Sequence, residues 1–133
     1  MTARRMFVDT NVAIDVLRAR PRAVALLDGH LDAGDALAIS VLTRFELFAG
    51  ARPAELAALN EHLGVYSEVP VDDRIAERAA EHSRQFRRSH SSIDAIDYLI
   101  AASAEVHGAE LLTMNVRHFP MFAGLAPAYR ANS

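Results

Sequence analysis

Three carboxylates of this chain stand where apolar side chains would be expected. Asp9 directly follows Met6-Phe7-Val8 and precedes Val12-Ala13-Ile14 and Val16-Leu17. Glu46 lies between Phe45 and Leu47, and its neighbours one helical turn away are Leu42, Ala49 and Gly50. Asp97 has Ile93, Ile100 and Ala101 at the same offsets. An unpaired carboxylate at a core edge is costly. Each has an ordinary explanation on its own: a helix cap for Asp9, a half-exposed stripe edge for Glu46. Asp94, one turn before Asp97, is well placed to cap a helix or complement its dipole. Asp97 is harder to explain this way, because it is expected further into the helix. Convergence of Asp9, Glu46 and Asp97 on a shared divalent cation accounts for all three. Hard oxygen ligands with no cysteine and no histidine pair suit Mg²⁺ or Mn²⁺ better than Zn²⁺. Such an ion offsets the repulsion among the carboxylates. It also activates water and stabilises charge on a phosphate, as phosphodiester hydrolysis requires. Leu111 to Phe119 adds Thr113 and Asn115, with Arg117 and His118 available to meet phosphate. An ordinary strand-to-loop turn would carry the same residue types.

The elements that must position these groups are legible as alternating strands and helices. Strands are predicted at Met6–Val8, Ala36–Ile39, Val65–Val71 and Glu110–Thr113. Helices are predicted over 11–19, 21–33, 41–51, 53–64, 73–88 and 93–107. Pro21 suits a first turn, Ser40 and Asp72 suit N-caps, and Gly34, Gly64 and Gly108 suit helix stops. Arg87 to Ser92 is the most polar stretch and reads as a loop. The segment after Phe119 is broken by Pro120, Gly124 and Pro127. The alternation indicates an α/β domain with a central, mainly parallel sheet flanked by helices. Such sheets bind ligands at the carboxyl ends of their strands, and Asp9 sits at one.

Length predicts one domain over residues 1–133, with no internal repeat or linker. Hydrophobic residues make up 51% and charged residues 23%, an ordinary globular balance. No apolar run approaches ~18 residues, so no membrane association is expected. The stretch after Arg4-Arg5 is interrupted by Asp9, too soon for a signal-peptide core, and a cytoplasmic location is expected. Without cysteine, disulfides, thiolate chemistry and cysteine zinc sites are excluded. A net charge of −3 argues against a general nucleic-acid binder but allows a local basic patch. All 14 basic residues are arginine. Codon bias explains that, and the guanidinium fork also suits phosphate.

Four stretches taken together resemble the PIN-domain family, in particular its VapC-type ribonuclease toxins. They are VDTNV at 8–12, TRFELFAG at 43–50, DYLIAASA at 97–104 and LLTMNVRHF at 111–119. They occur in the family's order across nearly the whole chain. The resemblance implies a PIN-like fold and a toxin that inhibits translation by Mg²⁺- or Mn²⁺-dependent cleavage of RNA, of the tRNA or rRNA class. It places Asp9 and Asp97 as principal metal ligands, and Glu46 as a third ligand or the group that orients water. Asp94 and Asn115 would position the water or a neighbouring group. Thr10 and Asn11 match the small polar residues near the first acid. Thr10, Asn11, Arg44, Thr113, Arg117 and His118 form the expected substrate-contacting set. Arg87 and Arg88 are further candidates, though a solvated helix end explains them better. Many relatives carry another Asp in the last motif, where this chain has Asn115 and His118. That leaves a one-metal site unless Asp94 substitutes. A cognate antitoxin covering the pocket and a second copy of the chain are the implied protein partners.

Two other classes compete. One is a non-catalytic PIN-like binding module, against which the retained acids argue. The other is a phosphoryl-transfer hydrolase using Asp9 as nucleophile. It would want a second Asp where Asn11 stands and a downstream lysine that the chain lacks. A dinucleotide-binding domain is disfavoured because no GxGxxG follows the first strand.

Overall fold

Alternation along each strand decides which face of the sheet a side chain covers. In β1 (Arg5–Val8), Met6 and Val8 enter one apolar cluster and Phe7 enters the other. In β2 (Ala36–Ser40), Leu37 and Ile39 join the first cluster, while Ala38 packs on the second. β4 (Glu110–Leu112) divides in the same way, with Leu112 on the first face and Leu111 on the second. β3 (Ser67–Val69) contributes Val69 to the second cluster. These relationships come from a computed structural model that describes residues 3–131. All strand pairs are parallel, in the order β3-β2-β1-β4. Both faces of the sheet are therefore buried, as parallel sheets require.

The helices fall into two layers. α1 (Thr10–Leu17), α2 (Pro21–Asp32), α3 (Val41–Gly50) and α4 (Leu56–Leu63) supply Val12, Ala13, Leu27, Leu47, Leu59 and Leu63 to the first face. α5 (Asp73–Phe86) and α6 (Ala95–Val106) bring Ile75, Ala79 and Ile100 to the second. Strand order explains the division. The chain steps from β1 to β2 to β3 in one direction and returns past β1 to β4 in the other. Right-handed crossovers running in opposite directions put their helices on opposite faces.

Local signals operate as read. The Ser40 hydroxyl accepts from Leu42 N at 3.0 Å, and the Asp72 carboxylate accepts from Ile75 N at 3.0 Å. Gly34 and Gly108 adopt left-handed φ values of 79° and 61° after α2 and α6. Several boundaries differ from expectation. The helix expected from residue 53 starts as a 3-10 turn, Pro53–Glu55, before α4. The third strand is shorter because Val65 N and Tyr66 N bond back to His62 and Leu63 carbonyls. α1 stops early, since Ala19 turns to φ 56°. α6 starts at Ala95, two residues late, because Ile93 N closes the preceding loop on His90 O. Beyond β4, the chain crosses back over the sheet's carboxyl edge, where Ala128 N donates to Thr113 O at 2.9 Å. Among the described residues, no helix is long and apolar enough to cross a membrane.

Candidate active site

The strand order reverses between β1 and β4, so a crevice opens at their carboxyl ends. Asp9 leaves β1 there and Thr113 leaves β4. Asp9 N donates to Leu112 O at 2.9 Å, extending the ladder by one bond. Asp9 is 5% exposed, and its carboxylate accepts three bonds. Oδ1 takes Thr10 N at 2.8 Å, and Oδ2 takes Thr113 Oγ1 at 2.7 Å and Asn11 Nδ2 at 3.2 Å. Burial pushes the Asp9 carboxyl up from its ordinary value, and the nearby Glu46 charge adds to this. The Thr113 and Thr10 bonds act in the opposite sense, with a smaller contribution from His118.

A chain of hydroxyls ties α1 to α3. Thr10 Oγ1 lies 2.7 Å from Glu46 Oε1 and 2.9 Å from Thr43 Oγ1. An ionised carboxylate only accepts, so Thr10 donates to Glu46 and Thr43 donates to Thr10. Asn11 is fixed at both ends of its amide: Nδ2 donates to Asp9 and Oδ1 accepts from Met114 N at 3.3 Å. Asn115 N donates to Thr113 Oγ1 at 3.0 Å.

Asp97 arrives from the second helical layer. It occupies the third position of α6 and shares a capping box with Asp94: Asp94 Oδ1 accepts from Asp97 N at 3.0 Å, and Asp97 Oδ2 accepts from Asp94 N at 3.2 Å. His118 Nδ1 stands 2.9 Å from Asp97 Oδ2 and 2.9 Å from the Asn115 amide nitrogen. The Asp97 carboxyl is pushed up from an ordinary 3.8 to about 6, first by burial and then by the Asp94 and Asp9 charges. The bond from Asp94 N and the proximity of His118 oppose that rise.

The predicted site residues thus divide. Asp9, Asp97, Asn115 and His118 lie on one carboxyl edge, with Glu46 beside them through Thr10. Asp94 is exposed and uses one carboxylate oxygen, Oδ1, to cap α6. The helix starts later than its apolar pattern suggests, which also brings Asp97 into the first turn. Thr10 and Thr113 are buried and hold carboxylates, and Asn11 bridges the two loops. Thr10 and Thr113 bond acids directly, and Asn11 bonds Asp9. Arg44 is committed to Glu68, with Nη1 at 3.1 and 2.9 Å from its two oxygens, and lies over the Phe48 ring. Among the described residues, Arg117 is exposed and has no carboxylate partner. Thr43 was missed; its place three residues before Glu46, on the same helical face, was the available signal.

Among the described residues, no three carboxylate or imidazole groups gather closely enough to bind one ion by themselves. Glu46 gives one oxygen to Thr10, which links it to the Asp9 end of the expected Asp9–Glu46–Asp97 set. The donor chemistry still suits a hard cation. Asp9 and Asp97 are oxygen donors whose raised pKa values reflect burial near other acids, a cost that a cation relieves. Mg²⁺ needs only one or two carboxylates and keeps several waters.

The sequence matches the PIN domain over residues 6–124. The chain belongs to the PIN-domain family. Within the family, this PIN domain is 48% identical over 122 residues to Ribonuclease VapC19 of Mycobacterium tuberculosis, covering 92% of this chain and 98% of that protein. It is 41% identical over 126 residues to Ribonuclease VapC10 of the same organism, covering 93% and 92%. Its backbone resembles a chain of a toxin–antitoxin complex from Klebsiella pneumoniae, with a TM-score of 0.75 at 26% identity over 96% of this chain and 98% of that one. The expected parallel sheet with flanking helices is the PIN fold observed here.

Proposed function

We propose that this PIN domain is a ribonuclease, the toxin of a toxin–antitoxin pair, and that it hydrolyses RNA phosphodiesters at the Asp9–Asp97 edge with Mg²⁺ or Mn²⁺. One observation carries the reading: a buried and a half-buried acid, both with raised pKa values, share the switch point of a chain 48% identical to a named ribonuclease. A bound divalent cation would supply charge stabilisation at phosphate and a more acidic water. Asp9 and Asp97 would hold it. Thr113, Asn11 and Thr10 N orient Asp9, and the Asp94 amide and His118 orient Asp97. Glu46 keeps one oxygen on Thr10, which leaves the other to take a proton from attacking water. Water adds to phosphorus as the bond to the 3′-oxygen breaks and that oxygen gains a proton. The products are a 3′-hydroxyl and a 5′-phosphate.

The toxin–antitoxin complex among the structural relatives supports an antitoxin partner. A structured RNA of the tRNA or rRNA class is the proposed target. The exposed apolar side chains of Val41 and Phe45 on α3 support self-association, which sedimentation would test. The deciding experiment incubates antitoxin-free protein with total RNA in Mg²⁺ or Mn²⁺ and then in EDTA, beside Asp9→Ala and Asp97→Asn. Discrete cleavage that needs both the metal and the acids is expected. Cyclic phosphate ends would exclude the water route. Folded, metal-bound protein that cuts nothing would leave a binding module.

A further inference from the structure

The chain carries a net charge of −3, yet one corner of it is basic. Between α1 and α2 runs Arg18-Ala19-Arg20-Pro21-Arg22, and the C-terminal tail brings Arg130 to the same region. All four arginines are exposed. Arg20 is paired with Asp15 at 3.3 Å. Among the described residues, Arg18, Arg22 and Arg130 have no carboxylate partner.

Two features hold this corner in shape. Ala19 is the one non-glycine residue with positive φ among those described, a conformation that costs about 1–2 kcal/mol in an L-residue. Pro21 fixes the next turn. The tail is tied down by Tyr129, whose hydroxyl donates to Asp15 Oδ2 at 2.5 Å, and by the Ala128–Thr113 backbone bond. Between corner and tail lies a cleft of about 640 Å³ lined by Arg22, Met114, Pro127, Tyr129 and Arg130. The cleft reaches the acids in two steps: Met114 N bonds Asn11, and Asn11 bonds Asp9.

We propose that this cleft is the track for the RNA strand next to the cut phosphate, with Arg22 and Arg130 holding backbone phosphates and Met114 and Tyr129 offering apolar surface to a base. The proposal rests on the ribonuclease reading above. Its logic is electrostatic. An edge built around Asp9, Glu46 and Asp97 repels a polyanion, so strand affinity must come from cations set beside it. Arg44 pairs with Glu68 and His118 with Asp97, and the exposed Arg117 is a single cation at the edge, so a strand running past the cut needs the further cations that this corner supplies. Guanidinium forks suit phosphate oxygens, and an aromatic ring such as that of Tyr129 stacks on any base. The same charge would also attract an acidic antitoxin segment, which the test separates.

The probe is a short fluorescein-labelled single-stranded RNA of mixed sequence, titrated in EDTA at several salt concentrations. Arg22→Ala/Arg130→Ala is expected to weaken binding about fivefold and to reduce the log–log salt slope by about 1.4, the value for two lost single-strand phosphate contacts. Arg22→Lys/Arg130→Lys should keep most of that slope. Arg74→Ala/Arg84→Ala on α5 makes the same charge change on the other layer and should leave binding at wild-type level. In cleavage assays the double alanine variant should raise KM with little change in kcat. An unchanged slope in that variant, or no RNA binding by the wild type, overturns the track. Loss of antitoxin affinity with RNA binding intact assigns the cleft to the antitoxin instead. The ribonuclease reading fails separately: a wild type that binds RNA through these arginines but never cuts it refutes catalysis and leaves the track standing.

Discussion

Thr113 Oγ1 donates to Asp9 Oδ2 at 2.7 Å, joining residues 104 positions apart in the chain. This bond crosses the switch point and is the leading influence that lowers the Asp9 pKa against burial. Both groups are buried, so their bond resists competition from water.

Thr113→Val keeps the shape and removes the donor. The Asp9 pKa should rise further, so the acidic limb of the cleavage pH profile should move to higher pH. Activity should fall roughly 10- to 100-fold, as for lost partners of metal ligands. Stability should drop by about 1.5–3 kcal/mol, since the bond is to a charged group. A pH–rate profile and a urea titration check both. An unmoved acidic limb would mean that this bond does not tune the acid.

Glu46→Gln should move the same limb the other way. The Glu46 charge raises the Asp9 pKa, and the neutral amide removes that contribution while keeping an oxygen for Thr10. Cleavage should fall because the proton acceptor is lost, yet the remaining activity should persist to lower pH. The pair of variants therefore predicts opposite shifts, readable in one buffer series.

Asp97 sets a stability trend in metal-free protein. Its folded pKa, about 6, lies above the ordinary 3.8. Its contribution is therefore fully present below the lower value and is lost as pH rises through the upper one. Asp97→Asn avoids the buried charge and keeps an oxygen for the Asp94 amide. In EDTA, the variant's Tm relative to wild type should increase between pH values of about 4 and 7. Mg²⁺ or Mn²⁺ at neutral pH should then raise the Tm of the wild type and not that of the variant. Equal metal responses would remove Asp97 from the ligand set.

Ala19→Gly should stabilise the protein by about 0.5–1 kcal/mol, the left-handed strain relieved minus the added unfolded-state freedom of glycine. Urea midpoints measure this directly. If Ala19 holds the arginine corner in shape, the same change should also lower RNA affinity despite the gain in stability.

What the sequence determined by itself was local. Met6-Phe7-Val8, Pro21, the Ser40 and Asp72 caps, and Gly34 and Gly108 act over a few residues, so their consequences were legible without knowing what packs where. The acids in apolar stripes were visible for the same reason: Glu46 and Asp97 break a helical period that their own neighbours define. The loop between Arg87 and Ser92 was read correctly, but its closure of Ile93 N on His90 was not, so α6 starts later than its pattern implies. That shift put Asp97 in the first turn, while Asp94 caps the helix as its place suggested.

Only the tertiary structure decided the rest, because it depends on which distant segments become neighbours. The order β3-β2-β1-β4 sets Thr113 against Asp9 and opens the edge between them. The packing of α1 on α3 runs Thr43 through Thr10 to Glu46 and so ties that acid to the residue after Asp9. The approach of β3 to α3 pairs Arg44, one of the expected substrate contacts, with Glu68. The tail, read as broken chain, returns to Thr113 and Asp15 and brings Arg130 to the Arg22 corner. Residue type announces what a side chain can do, whereas burial and partners, which are properties of the folded chain, decide which groups hold the acids and which remain free to meet RNA.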